Sequence, residues 1–310
     1  MTTYRIHGDN IVECERIANL IINEVDPSEI NHYLISPSTI AIDLQFEYLS
    51  EFYNWRLELL PGFNKSGRRR WQSDIFTSLR DNGSFLAETP DVILTKVEDG
   101  EELILCAIEF CSALQAGNQA WQRSGRAYST GRTGCPYIYF VDFVKYELDP
   151  RSRQRKALRF PNPIVPYSYI YYSQTSENFV AQVYVRSEEF DKNSDTKLRS
   201  FDENDFGDAE LSSYIVKRMC NLDTSEEESI LLQKNMNVVA FLAEGANPQN
   251  NLTKTDWTYI DENSTNIIEY CVSNASFNFH KTITAKGHHG KSPQVLDIID
   301  RYNVISISVN

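Results

Sequence analysis

The chain reads as an α/β protein: a central mixed β-sheet flanked by helices, with a more helical C-terminal part. Three observations predict this. A stripe of apolar residues at helical spacing is followed, further along, by two short Val/Ile/Leu-rich runs around a Gly-containing break, then by a second helical pattern and another apolar run. Hydrophobic residues make up 41% and aromatics 12% of 310 residues, a composition that suits a packed core. Beyond Asp208 the pattern turns helical.

Taken in order, Asp9 to Val25 reads as the first helix, with Asp9 or Asn10 as N-cap and an apolar stripe of Ile11, Cys14, Ala18, Ile21, Ile22 and Val25. Asp26-Pro27 ends it. Ile40 to Leu60 reads as a second helix, stopped by Pro61-Gly62, and Trp71 to Leu79 as a third. Asp91–Val97 and Leu103–Phe110 flank the polar break Glu98-Asp-Gly-Glu-Glu102 and read as an antiparallel hairpin. A helix follows from about Gly117 to Tyr128, then a buried strand from Cys135 to Phe143. Pro161 to Tyr167 is a proline-rich bend, and Tyr169–Tyr172 and Phe179–Val185 read as strands. Glu188 to Asp208 is polar and acidic, and is the best place for a boundary or flexible loop, giving an α/β core over 1–187 and a C-terminal part over 188–310, the latter a candidate for DNA recognition that could also pack as one domain with the core. Asp208–Cys220 and Ser225–Ala243 read as helices, the second with a capping box at Thr224 or Ser225 and Gly245 at its end. Ile267–Val272 and Val304–Val309 suggest late strands.

The hairpin is where chemistry is expected. Residues i and i+2 of a strand share a face, so Leu105, Ala107, Glu109 and Cys111 point one way and Cys106, Ile108 and Phe110 the other. A carboxylate in so apolar a run is costly to bury alone. Glu109 therefore either pairs with a cation or joins Asp91 at a metal, and Mg²⁺ favours such oxygen ligands. Beyond it, Gln115, Gln119, Gln122 and Arg126 fall near one helical face with Arg123 beside them, a face suited to orient water or phosphate.

Pro90-Asp91 followed by Glu109-Phe110-Cys111 resembles the signature of the PD-(D/E)XK nuclease superfamily, most closely its type II restriction endonuclease branch. The order helix, hairpin, helix, strand resembles that superfamily's core. The resemblance covers roughly Asp9 to Phe143 and implies a restriction-endonuclease-like fold and Mg²⁺-dependent hydrolysis of double-stranded DNA. It implies Asp91 and Glu109 as metal ligands. An acidic residue of the first helix would assist, with Glu15 preferred on geometry and Glu13 second. Cys111 stands where the family has Lys, so Gln119, Gln122 or Arg123 would take over part of that work. A family member without activity that binds nucleic acid or a protein is the competing reading, and an α/β protein with an unrelated small-molecule site a third.

Net charge is −13, which argues against a general nucleic-acid coat protein. The charge is uneven, however. Arg68, Arg69 and Arg70 form one basic run, Arg123, Arg126 and Arg132 follow the hairpin, and Arg151 to Arg159 form another. Such runs can face DNA phosphates, with Arg126 among the expected contacts. Lys281 to Lys291 is a Gly-bounded loop in which Lys286, His288, His289 and Lys291 could reach phosphates or base edges. The six cysteines lack a Cys-x-x-Cys pair and are expected reduced, with no zinc cluster. With no membrane-spanning run and no signal pattern, a cytoplasmic protein with no membrane partner is the expectation, and a homodimer is compatible with the resemblance.

Overall fold

The computed structural model describes residues 1–36, 39–62, 90–111, 118–143, 148–149, 151–155, 158 and 160–246. Among these, one mixed sheet of eight strands is flanked by five α-helices. The strands are β1 (Thr2–Gly8), β2 (Glu29–Ser36), β3 (Thr39–Tyr48), β4 (Glu51–Pro61), β5 (Val92–Glu98), β6 (Glu101–Cys111), β7 (Tyr137–Phe143) and β8 (Val180–Arg186). They lie in the order β2-β3-β4-β1-β5-β6-β7-β8. The pairs β4–β1, β6–β7 and β7–β8 are parallel and the rest antiparallel. The helices are α1 (Ile11–Val25), α2 (Asn118–Gly131), α3 (Ile164–Ser176), α4 (Asp208–Met219) and α5 (Ser225–Ala246).

Two apolar layers cover the sheet. On one face Ile6, Leu44, Leu57, Leu94, Ile108 and Phe140 pack under α1 and α4. On the other, Ile93, Ala107, Tyr139 and Phe143 pack under α2, α3 and α5. Helix α1 presents Cys14, Ile17, Ala18, Ile21 and Val25 to its layer. Asn10 is its N-cap in a capping box with Glu13, and Asp26 closes it in the left-handed conformation. The β1–α1 turn is tight enough to require Gly8, because a Cβ there would lie 2.6 Å from Cys14 Sγ.

Several expectations change. Ile40 to Leu60 is not a helix but the hairpin β3–β4, turning on Leu49-Ser50 with both residues at positive φ (51° and 67°). Tyr169–Tyr172 is not a strand but part of α3, where Val165, Tyr167, Tyr169, Ile170, Tyr171 and Tyr172 are buried all round. Pro166 fits there because first-turn N–H groups have no intrahelical acceptor. The polar stretch after Glu188 sends Leu198, Phe201 and Phe206 into the core around Phe143. Gly245 lies within the last turn of α5. Strands β1 and β2 correspond to no expected element. A bulge between Leu94 and Thr95 leaves Leu105 unpaired, so Leu105 packs with Cys106's layer instead of Ala107's. Arg218 of α4 donates to the freed Leu105 carbonyl at 2.7 Å. The expected elements at Trp71–Leu79, Ile267–Val272 and Val304–Val309 lie outside the described residues. No helix among the described residues is long and apolar enough to cross a membrane.

Candidate functional site

The site lies where β5 begins, β6 ends and α1 starts. Asp91 immediately precedes β5, and its Oδ2 accepts the Phe110 N–H at 2.8 Å. That bond ties the start of one strand to the end of the next. The Asp91 carbonyl accepts the Asp9 N–H at 2.9 Å, which brings the α1 N-terminus to the same place. Glu13 closes the capping box at 3.1–3.2 Å from Asn10. Partial burial and the charges of Asp91 and Asp9 push the Glu13 carboxyl up to about 7. Glu15, the acid preferred from the sequence, is exposed. The buried stripe of α1 runs through Cys14, Ile17, Ala18, Ile21 and Val25 and leaves Ile11 exposed, so its centre lies nearer Glu13, which feels the Asp91 charge, than a stripe through Ile11 and Ile22 would put it.

Glu109 is fully buried on the face covered by α2. Its Oε1 accepts from Arg123 Nε at 2.9 Å and from Arg126 Nη1 at 2.6 Å. The two arginines are three residues apart on α2 and so share a helical face. Its Oε2 is buried with no hydrogen-bond partner among the described residues. Burial and the Asp91 charge push the Glu109 carboxyl up to about 7, against the pull of the arginines. Of the two alternatives for Glu109, the pairing with a cation is what these contacts show, with Asp91 acting as a like-charged neighbour. Tyr137 and Tyr169 wall this side, and burial followed by the Glu109 charge holds their hydroxyls well above the usual range.

Cys111 points to the same face as Glu109, as strand alternation requires, but is buried in the layer with Tyr139 and Tyr184. Arg126, expected on DNA, is turned inward onto Glu109. The side chains of Gln119 and Gln122 lie outside the described part, as do Gln115, Arg68, Arg69, Arg70, Lys286, His288, His289 and Lys291. Arg132, Arg151, Arg153 and Arg155 are described and exposed or partly so. Among the described residues no three His, Cys, Asp or Glu side chains close on one coordination point. Asp91 lies close enough to Glu13 and to Glu109 for its charge to raise both carboxyls, so hard oxygen donors gather near this strand junction without closing on one point.

A second charged network on the same sheet face had no sequence signal. Arg5 spans Glu58 (2.8 Å) and Glu102 (2.7 Å). Glu102 Oε2 also accepts from Thr95 at 2.7 Å and lies 2.6 Å from His7 Nε2. Burial raises the Glu102 carboxyl, but its hydrogen bonds to His7, Thr95 and Arg5 outweigh this and hold it down at about 2. Glu102 sits in the polar break of the hairpin, where acids are ordinarily solvated, and β1 was not expected at all.

No family model matches the chain, and neither the curated proteins nor the solved structures contain a match.

Proposed function

We propose that the protein is a Mg²⁺-dependent endonuclease of the PD-(D/E)XK type acting on double-stranded DNA, with Asp91 and Glu109 as metal ligands and Glu13 as the assisting acid. One observation carries this reading: a fully buried glutamate with one oxygen free among the described residues lies at a strand end beside an aspartate and under two arginines. Mg²⁺ bound there would polarise the scissile phosphate and lower the pKa of its water.

The absent motif lysine is then replaced from the helix. Cys111 is too buried to meet substrate, and Arg123 and Arg126 supply fixed positive charge at Glu109 instead. Guanidinium groups suit phosphate oxygens through paired N–H donors. Their role would be to hold Glu109 with Oε2 facing the junction and to offer donors to a phosphate beside it.

A second reading has its own observation. Glu109 is already ion-paired to both arginines, as a structural strut in an inactive protein would be. Supercoiled-plasmid nicking with Mg²⁺ and then Mn²⁺ separates the two. Asp91→Ala and Glu109→Ala are each expected to reduce nicking at least about 100-fold while the far-UV spectrum stays native. Wild-type protein that nicks with neither metal supports the strut, and nicking by either variant at the wild-type rate rejects the assignment.

A further inference from the structure

We infer that β2 is a dimerisation edge, pairing antiparallel with β2 of a second copy of this chain. The inference is independent of the nuclease reading. Among the described residues β2 is the outermost strand of the sheet, and all seven residues from Glu29 to Ile35 are exposed. Four of the seven are large and apolar or aromatic: Ile30, Tyr33, Leu34 and Ile35, with Leu34 70% exposed. Monomeric proteins blunt such edges with charge, proline or a cover, because the free N–H and C=O groups template another strand. Here β2 holds one charged residue, Glu29, and no proline.

The strand is also ordered before binding. Tyr33 donates its hydroxyl to Asp43 Oδ2 at 3.0 Å, and Arg56 grips Asp43 through two bonds (2.8 and 3.1 Å) with its guanidinium 5.4 Å from the Tyr33 ring centre. An aromatic side chain held in place by an arginine loses little freedom on association.

The sequence of β2 selects a second copy as the occupant. A two-fold axis normal to the sheet must pass through a residue, since paired residues have to share a face. The regular part of the strand ends at the bulge between Leu34 and Ser36. Centred on His32, the pairing sets Ile30 against the partner's Leu34 and Leu34 against the partner's Ile30. It sets Asn31 and Tyr33 against one another on the opposite face. Glu29 meets no like charge. Centring on Asn31 instead would set Glu29 against the partner's Tyr33 and break both apolar pairs. A single strand pair buries less than a standard interface, so the dimer is expected to be weak, with a dissociation constant on the order of micromolar.

Sedimentation of the full chain should show dimer at tens of micromolar, as estimated from that affinity. Leu34→Lys should make it monomeric with an unchanged melting temperature, because Leu34 is already in solvent. His32→Cys should cross-link two chains under copper–phenanthroline oxidation, and Asn31→Cys should not, since only the residue on the axis meets itself. Full chain that stays monomeric at 100 µM (roughly a hundredfold above that affinity) overturns the inference. So does a His32→Cys disulfide formed within one chain to Cys271, which would put the chain's own C-terminal region on this edge.

Discussion

Two of the three carboxylates of strand β6 meet opposite fates. Glu102, near its start, is held down at about 2, and Glu109, near its end, is pushed up to about 7. Both have arginine partners, so the presence of a cation does not decide the outcome. Accounting for each oxygen does. Both oxygens of Glu102 are used: Oε1 by Arg5, Oε2 by Thr95 and His7. Both arginines at Glu109 crowd onto Oε1, and Oε2 has no hydrogen bond among the described residues. Glu109 is also the more deeply buried, with Asp91 as a like-charged neighbour. A fully satisfied carboxylate stabilises a fold, and one left half-satisfied at a strand end retains capacity for a ligand.

The largest effect should come from adding a third cation to the Glu109 side. Cys111→Lys restores the nuclease pattern in sequence. In the structure it places an ammonium among Tyr139 and Tyr184, next to Arg123, in a buried apolar layer. The expected cost exceeds about 4 kcal/mol, enough to abolish a cooperative thermal transition. Cys111→Ala should cost only about 1–2 kcal/mol. A well-folded Cys111→Lys protein would show that Glu109 Oε2 accepts a cation from the strand, and that the helix arginines have not replaced the lysine.

Removing the carboxylates should separate them next. Glu102→Ala removes the partner of His7 Nε2 and Thr95 and leaves Arg5 with Glu58 alone, and should cost about 3 kcal/mol in urea denaturation. Glu109→Gln keeps an acceptor for both arginines and removes a buried charge, so near pH 8 the change should stay below about 1 kcal/mol. The pH profiles should also differ in sign. The Glu109 carboxyl is raised in the folded state, so its contribution is present below the unfolded value of 4.5 and is lost as pH rises through about 7. Glu102 is depressed, so its contribution is present above 4.5 and is lost as pH falls toward about 2. Glu109→Gln should therefore flatten the fall in stability between pH 5 and 8, leaving the part due to Glu13, and should leave acid unfolding below pH 4 unchanged. An unaltered slope above pH 5 would reject the buried, half-satisfied Glu109.

How much of this could be read from the residues alone turns on local signals. The β5–β6 hairpin was legible because its turn is Asp99-Gly100, whose positive φ values (51° and 86°) suit those residue types. The β3–β4 hairpin uses the same two-residue geometry with Leu49-Ser50, which carry no such signal, so its apolar residues read as a helix. Helix α1 was legible from its cap and stripe. Helix α3 was not, because a helix buried on all sides has no amphipathic period. At the site, Asp91, Glu109 and Arg123 were marked by their positions around a hairpin. Glu13 rather than Glu15 lies beside Asp91 because the buried stripe of α1 includes Ile17 and excludes Ile11, a shift that periodicity alone did not reveal. The Glu102 network joins β1, β4, β5 and β6, contacts that exist only once the sheet order is known.

The smallest change sharpens the comparison by moving one carboxylate toward the condition of the other. Thr95→Val conserves shape at a fully buried position and removes the hydroxyl that donates to Glu102 Oε2 at 2.7 Å. His7 remains 2.6 Å from that oxygen, so Glu102 loses one of its bonds and keeps its ion pair with Arg5. The expected cost is about 1 kcal/mol near neutral pH. With less to favour its charged form, Glu102 should titrate higher, and the acid unfolding midpoint should move to higher pH. A purely steric loss would lower stability equally at pH 7 and pH 2. The carboxylate account requires the difference between Thr95→Val and wild type to shrink as pH falls and Glu102 becomes protonated in both. Urea midpoints for the two proteins at pH 7, 4 and 2, the last near the Glu102 value, distinguish these outcomes, and a constant difference would mean that hydrogen-bond satisfaction is not what sets Glu102 apart from Glu109.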